Sequence, residues 1–105
     1  MASMTIRLYP QLSSCLDRVS EQTGILRSSL ILYALNDQLR LNKIIENDRL
    51  AAAPADQSIR IALRLPDALK KLLADVAAEN QMSANHLVNY CIYMCDLSYW
   101  SRYSS

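Results

Sequence analysis

An internal repeat with an offset of 57 residues constrains this chain more than any other feature. Arg7 and Leu8 recur as Arg64 and Leu65, and Leu12, Leu16 and Val19 recur as Leu69, Leu73 and Val76. Leu30 and Tyr33 return as Leu87 and Tyr90 without a gap. Self-similarity at a fixed spacing means that one supersecondary unit is used twice. The hydrophobic period also changes at the same places in both copies, which separates a structural repeat from chance identity.

Each copy opens with strict alternation. Met4, Ile6 and Leu8 point one way while Thr5 and Arg7 point the other; Ile59, Ile61, Leu63 and Leu65 alternate with Arg60, Ala62 and Arg64. That period of two predicts a strand with one buried face. Pro10 and Pro66 then mark the passage into a helix, where proline is tolerated only near the start. Leu12, Cys15, Leu16 and Val19 form a helical stripe that Leu69, Leu72, Leu73 and Val76 repeat. Gly24 ends the first of these helices, and Gln81 stands in the matching place. A non-glycine residue in the same left-handed geometry costs about 1 kcal/mol. A second helix follows in each copy, striped by Leu30, Ile31, Ala34, Leu35 and Leu39, and by Leu87, Val88, Cys91, Ile92 and Cys95. Ser28 or Ser29, and Ser83, are the expected N-caps, and the earlier helix is expected to run to about Ile45.

Composition agrees. Hydrophobic residues make up 51% of the 105 and charged residues 20%, enough for a core and a polar surface. One glycine and three prolines exclude glycine-rich and loop-dominated architectures. No apolar run approaches the ~18 residues of a membrane span. Cys15, Cys91 and Cys95 are an odd number without a secretory signal, which predicts reduced thiols in a cytoplasm. With His86 they amount to an incomplete metal set, so they are read as core; no metal or cofactor is expected.

A lone strand leaves its backbone donors and acceptors unpaired. The economical solution pairs the two strands antiparallel within the chain. The expected fold is therefore mainly α with a two-stranded antiparallel β-ribbon. Residues 1–47 form the first unit, 48–58 the linker, and 59–105 the second unit with an aromatic C-terminal helix. The ribbon's outer face carries Thr5, Arg7, Arg60, Ala62 and Arg64: three arginines and no acid, in a chain of net charge +1. A two-stranded ribbon fits the DNA major groove, where arginine can donate two hydrogen bonds to guanine O6 and N7.

Ile61-Ala62-Leu63-Arg64-Leu65-Pro66, Leu69, Val76-Ala77-Ala78-Glu79-Asn80 and Met82-Ser83-Ala84-Asn85 resemble the ribbon-helix-helix family, in its Arc-like branch. Thr5-Ile6-Arg7-Leu8 through Gly24 to Ser28-Ser29 is more similar to the CopG-like branch. Together the two copies cover most of the chain and resemble the tandem arrangement of TraY-type plasmid transfer proteins. The resemblance implies an intrachain pseudo-dimer whose two strands enter the major groove. It implies base reading by Arg60, Ala62 and Arg64, and by their counterparts Ser3, Thr5 and Arg7. Ala62 replaces a usually polar residue and offers a methyl contact to thymine. The resemblance also implies phosphate binding at the N-terminus of each second helix, by Ser83, Ala84 and Asn85 and by Leu26, Arg27 and Ser28. There free N–H groups and the helix dipole favour an anion. Leu26 stands where serine is usual.

Other features are secondary. His86 is expected to be solvated or to touch phosphate, and Lys70-Lys71 to be a solvated helix face with a secondary phosphate contact. Tyr93, Leu97 and Trp100 form a second stripe beside a filled apolar arc, which suggests an oligomer interface joining pseudo-dimers. No glycine-rich phosphate loop or nucleophile–base pair is present, so an enzyme is not expected. The expected partner is double-stranded DNA, with no membrane, and the expected role is a repressor or autoregulator of a phage or plasmid element. Two alternatives stay open. One is a relaxosome-type DNA accessory factor; the other is an antitoxin or inhibitor that reuses the fold for protein contact.

Overall fold

In the computed structural model, which describes residues 2–41, 50–51 and 53–98, the two periods become two strands and four helices. Strand β1 spans Ala2–Leu8 and β2 spans Ile59–Leu65; they pair antiparallel as a two-stranded sheet. Helices α1 (Pro10–Thr23) and α2 (Arg27–Leu41) follow β1, and α3 (Asp67–Glu79) and α4 (Ala84–Ser98) follow β2. The order is strand, helix, helix, taken twice, in a mainly helical fold.

Ile6, Leu8, Leu63 and Leu65 are fully buried under the helices, while Met4 and Ile61 are half-buried. Burial deepens along each strand toward the point where the chain turns into its first helix. Ile59, expected on the buried face, is 43% exposed although it lies opposite the fully buried Leu8. In the ladder, Thr5 faces Ala62, its own counterpart in the repeat. Arg7 faces Arg60 and Ser3 faces Arg64, two pairs that exchange when the copies are swapped. The ladder thus maps onto itself about Thr5 and Ala62.

Local chemistry sets the helix ends. Pro10 occupies the first turn of α1, where its missing N–H costs nothing. Gly24 closes α1 at φ 76°, and its N–H donates to the Ser20 carbonyl at 2.9 Å. Gln81 takes the same left-handed conformation after α3, at φ 57°. Asp67 opens α3, where a carboxylate complements the helix dipole. Ser83 caps α4, accepting from the His86 N–H at 3.0 Å. The other expected cap shifts: α2 already begins at Arg27, with the Leu30 N–H donating to the Leu26 carbonyl at 3.1 Å. Ser28 and Ser29 therefore lie inside the first turn and Leu26 holds the cap position without a side-chain acceptor. The expected continuation of α2 to Ile45 lies outside the described residues.

The core joins the copies. Leu30, Ile31, Ala34, Leu35 and Leu39 of α2 are all buried, as are Leu87, Val88, Cys91, Ile92 and Cys95 of α4. These two helices make the broadest helix–helix contact. Each fully buried aliphatic side chain contributes about 1.5–3 kcal/mol relative to exposure. Leu50, in the expected linker, is also buried, and Ala55–Gln57 forms a single 3-10 turn before β2. Cys15, Cys91 and Cys95 are free and buried. Burial, with a smaller effect of neighbouring Cys95, pushes the Cys91 thiol up to about 12, so it stays protonated near neutrality. Tyr93 is half-buried against the core. The Leu97 side chain and Trp100, the rest of that stripe, lie outside the described residues. Among the described residues no helix is long and apolar enough to cross a membrane.

Candidate nucleic-acid interface

Alternation along β1 and β2 puts Ser3, Thr5, Arg7, Arg60, Ala62 and Arg64 on one face, and all six are exposed. The residues between them anchor that face by entering the core. Among the described residues, no hydrogen bond or ion pair reaches the guanidinium of Arg7, Arg60 or Arg64. No carboxylate stands on either strand. Three cations thus project from a rigid ribbon with their donors unspent. An open depression of about 520 Å³ is lined by Thr5, Arg7, Arg60 and Asn85.

The start of α4 is bolted to this ribbon. Asn85 Oδ1 accepts from the Arg7 N–H at 2.6 Å, and Asn85 Nδ2 donates to the Arg7 carbonyl at 3.2 Å. One turn on, the fully buried Asn89 accepts from the Tyr9 N–H at 2.9 Å and donates to the Arg7 carbonyl at 3.0 Å. The end of β1 is thereby satisfied by two amides of a helix about 80 residues away. The Tyr9 hydroxyl and His86 Nδ1 form a hydrogen bond of 2.7 Å with the rings tilted together. His86, expected to be solvated or to touch phosphate, is half-buried in this cluster instead.

Ser83, Ala84 and Asn85 begin α4 beside the ribbon. The Ser83 hydroxyl accepts from the His86 N–H and the Asn85 amide is tied to Arg7, so the side chains at this helix start are engaged within the protein. Leu26, Arg27 and Ser28 begin α2, all exposed. Arg27 pairs with Asp17 of α1 at 3.0 Å, both groups about half exposed, an ion pair worth at most about 1 kcal/mol. Lys70 Nζ donates to the Ser3 carbonyl at 3.3 Å, so this lysine braces β1, while Lys71 is exposed. Among the described residues, no group of three or more His, Cys, Asp or Glu side chains converges to hold a metal ion.

No family model, curated protein or solved structure matches the chain.

Asn89 and Tyr9 carry the site's support, yet neither was singled out by residue type. The signal was present. Asn89 is the one amide side chain between Leu87 and Cys95, in a stretch otherwise of aliphatic, sulfur-bearing and tyrosine side chains, and a buried amide needs hydrogen-bond partners.

Proposed function

We propose that the chain is a tandem ribbon-helix-helix DNA-binding protein, an intrachain pseudo-dimer that lays its β-ribbon in the major groove. Its role is that of a transcriptional repressor or autoregulator of a mobile element. The observation that carries the reading is the ribbon face. Arg7, Arg60 and Arg64 are exposed on one face of the ribbon, with no acid on either strand, and are fixed by strands whose other side faces the core. A guanidinium there presents two parallel donors to a guanine edge. The ladder centred on Thr5 and Ala62 supports the pseudo-dimer, because paired copies of one unit meet at their own counterparts. The start of α4, tied to Arg7 through Asn85, supports a phosphate clamp held in register with the reading strand.

The test separates base reading from phosphate contact. Arg64→Ala should leave the melting temperature nearly unchanged, since exposed substitutions usually stay within about 0.5 kcal/mol. It should weaken binding to a selected duplex by about 1–3 kcal/mol and to random duplex much less. Lys71→Ala should weaken both alike and make the salt dependence shallower. If Arg7→Ala, Arg60→Ala and Arg64→Ala all bind selected DNA like wild type, the ribbon is not the reader. A net charge of +1 is low for a nucleic-acid binder and favours the second reading, a protein-interaction module on the same fold.

A further inference from the structure

We infer that the ribbon takes a DNA site without twofold symmetry, with guanines denser in the half-site that meets Arg7 and Arg60. This inference rests on the major-groove reading proposed above. A ribbon of two identical strands presents identical ends, and its site mirrors that symmetry. Here the backbone ladder is symmetric but the ends are not. At one end Arg7 lies opposite Arg60; at the other, Ser3 lies opposite Arg64.

Directly opposed side chains stand ~4.5–5.5 Å apart at Cβ, and like charges so placed destabilise a ladder. Nothing among the described residues relieves the Arg7–Arg60 pair: neither guanidinium has a hydrogen-bonding or ionic partner, and no acid shares their face. Clustered acceptors would relieve it. Thr5 and Asn85 complete an open depression of about 520 Å³ around this pair. The pair is also the better held end, because Asn85 and Asn89 fasten the Arg7 main chain to α4. At the equivalent position of α2 stand Ser28 and Leu32, which lack such amides. The opposite end carries a single guanidinium, and Ser3 there has its carbonyl held by Lys70. Guanine presents two acceptors on its major-groove edge, so two opposed arginines match closely spaced guanines better than any other base arrangement.

The experiment uses the full chain with duplexes selected from a random-sequence pool, followed by guanine N7-methylation interference. The expected site lacks inverted symmetry, and interfering guanines concentrate in one half. Arg7→Ala and Arg60→Ala should each remove interference in that half and weaken binding by about 5- to 150-fold. Arg64→Ala should remove it only in the other half. Arg7→Lys and Arg60→Lys keep the charge and a donor for guanine but lose the planar fork, and should weaken binding while retaining interference in that half. Thermal melting of each variant confirms that the fold is retained. A palindromic site, or loss of interference from both halves with every alanine variant, overturns the asymmetry and leaves the major-groove reading standing. Weakened binding with unchanged interference in Arg7→Ala and Arg60→Ala means the pair holds phosphate and overturns the guanine assignment. Failure to enrich any sequence overturns the major-groove reading itself.

Discussion

Gly24 and Gln81 close α1 and α3 with the same left-handed turn, but only one of them is suited to it. A Cβ at Gly24 would meet nothing within 4 Å, so a side chain there is opposed by backbone conformation alone. Gly24→Ala should therefore lower stability by about 1 kcal/mol. Gln81 already bears that cost, and Gln81→Gly should raise stability by about 0.5–1 kcal/mol. Denaturant midpoints should move in opposite directions at unchanged slope. This pair was legible in the sequence, because the repeat offset carries a glycine at a helix end onto a glutamine. Residue type alone misplaced the cap of α2. Ser28 and Ser29 are good capping residues, yet the repeat sets Leu26 against the true cap Ser83. Where the two signals disagreed, the register was the better guide.

At the scale of elements, the strands and both helical stripes followed from periodicity, because burial of one face acts on every second or every third and fourth residue. The polar network between β1 and α4 did not follow. A hydrogen bond between Tyr9 and Asn89 joins residues about 80 apart, and no local period records it. Its weight can be measured. Leu32 occupies the first-copy position equivalent to Asn89, so Asn89→Leu imports the repeat's own alternative. That change removes the Asn89 acceptor of the buried Tyr9 N–H and one of the Arg7 carbonyl's two amide donors. Each intramolecular hydrogen bond contributes about 0.5–1.5 kcal/mol net, so the loss of these two should lower the thermal midpoint. The Arg7 end of the ribbon should also exchange its amide hydrogens faster than the Arg64 end. Equal exchange at both ends would show that Asn89 is not what secures β1.

At the scale of the whole molecule, the two copies depend on each other twice, through the β1–β2 ladder and through the α2–α4 contact. Neither copy keeps a complete core when cut away. Expressed separately, residues 1–47 and 53–105 should show weak helical signal alone and recover it when mixed in equal amounts. Circular dichroism with sedimentation would read this, and a stable isolated half would show that the shared ribbon is dispensable. The pairing of both strands within one polypeptide also has a genetic consequence. Assemblies of separate identical chains are open to poisoning, since a damaged chain can combine with an intact one and spoil it. Here a lesion in either strand spoils only the ribbon of the chain that bears it. Alleles that disrupt the ribbon should be recessive at the level of folding, and native protein should accumulate in direct proportion to the chain synthesised, down to a few copies per cell.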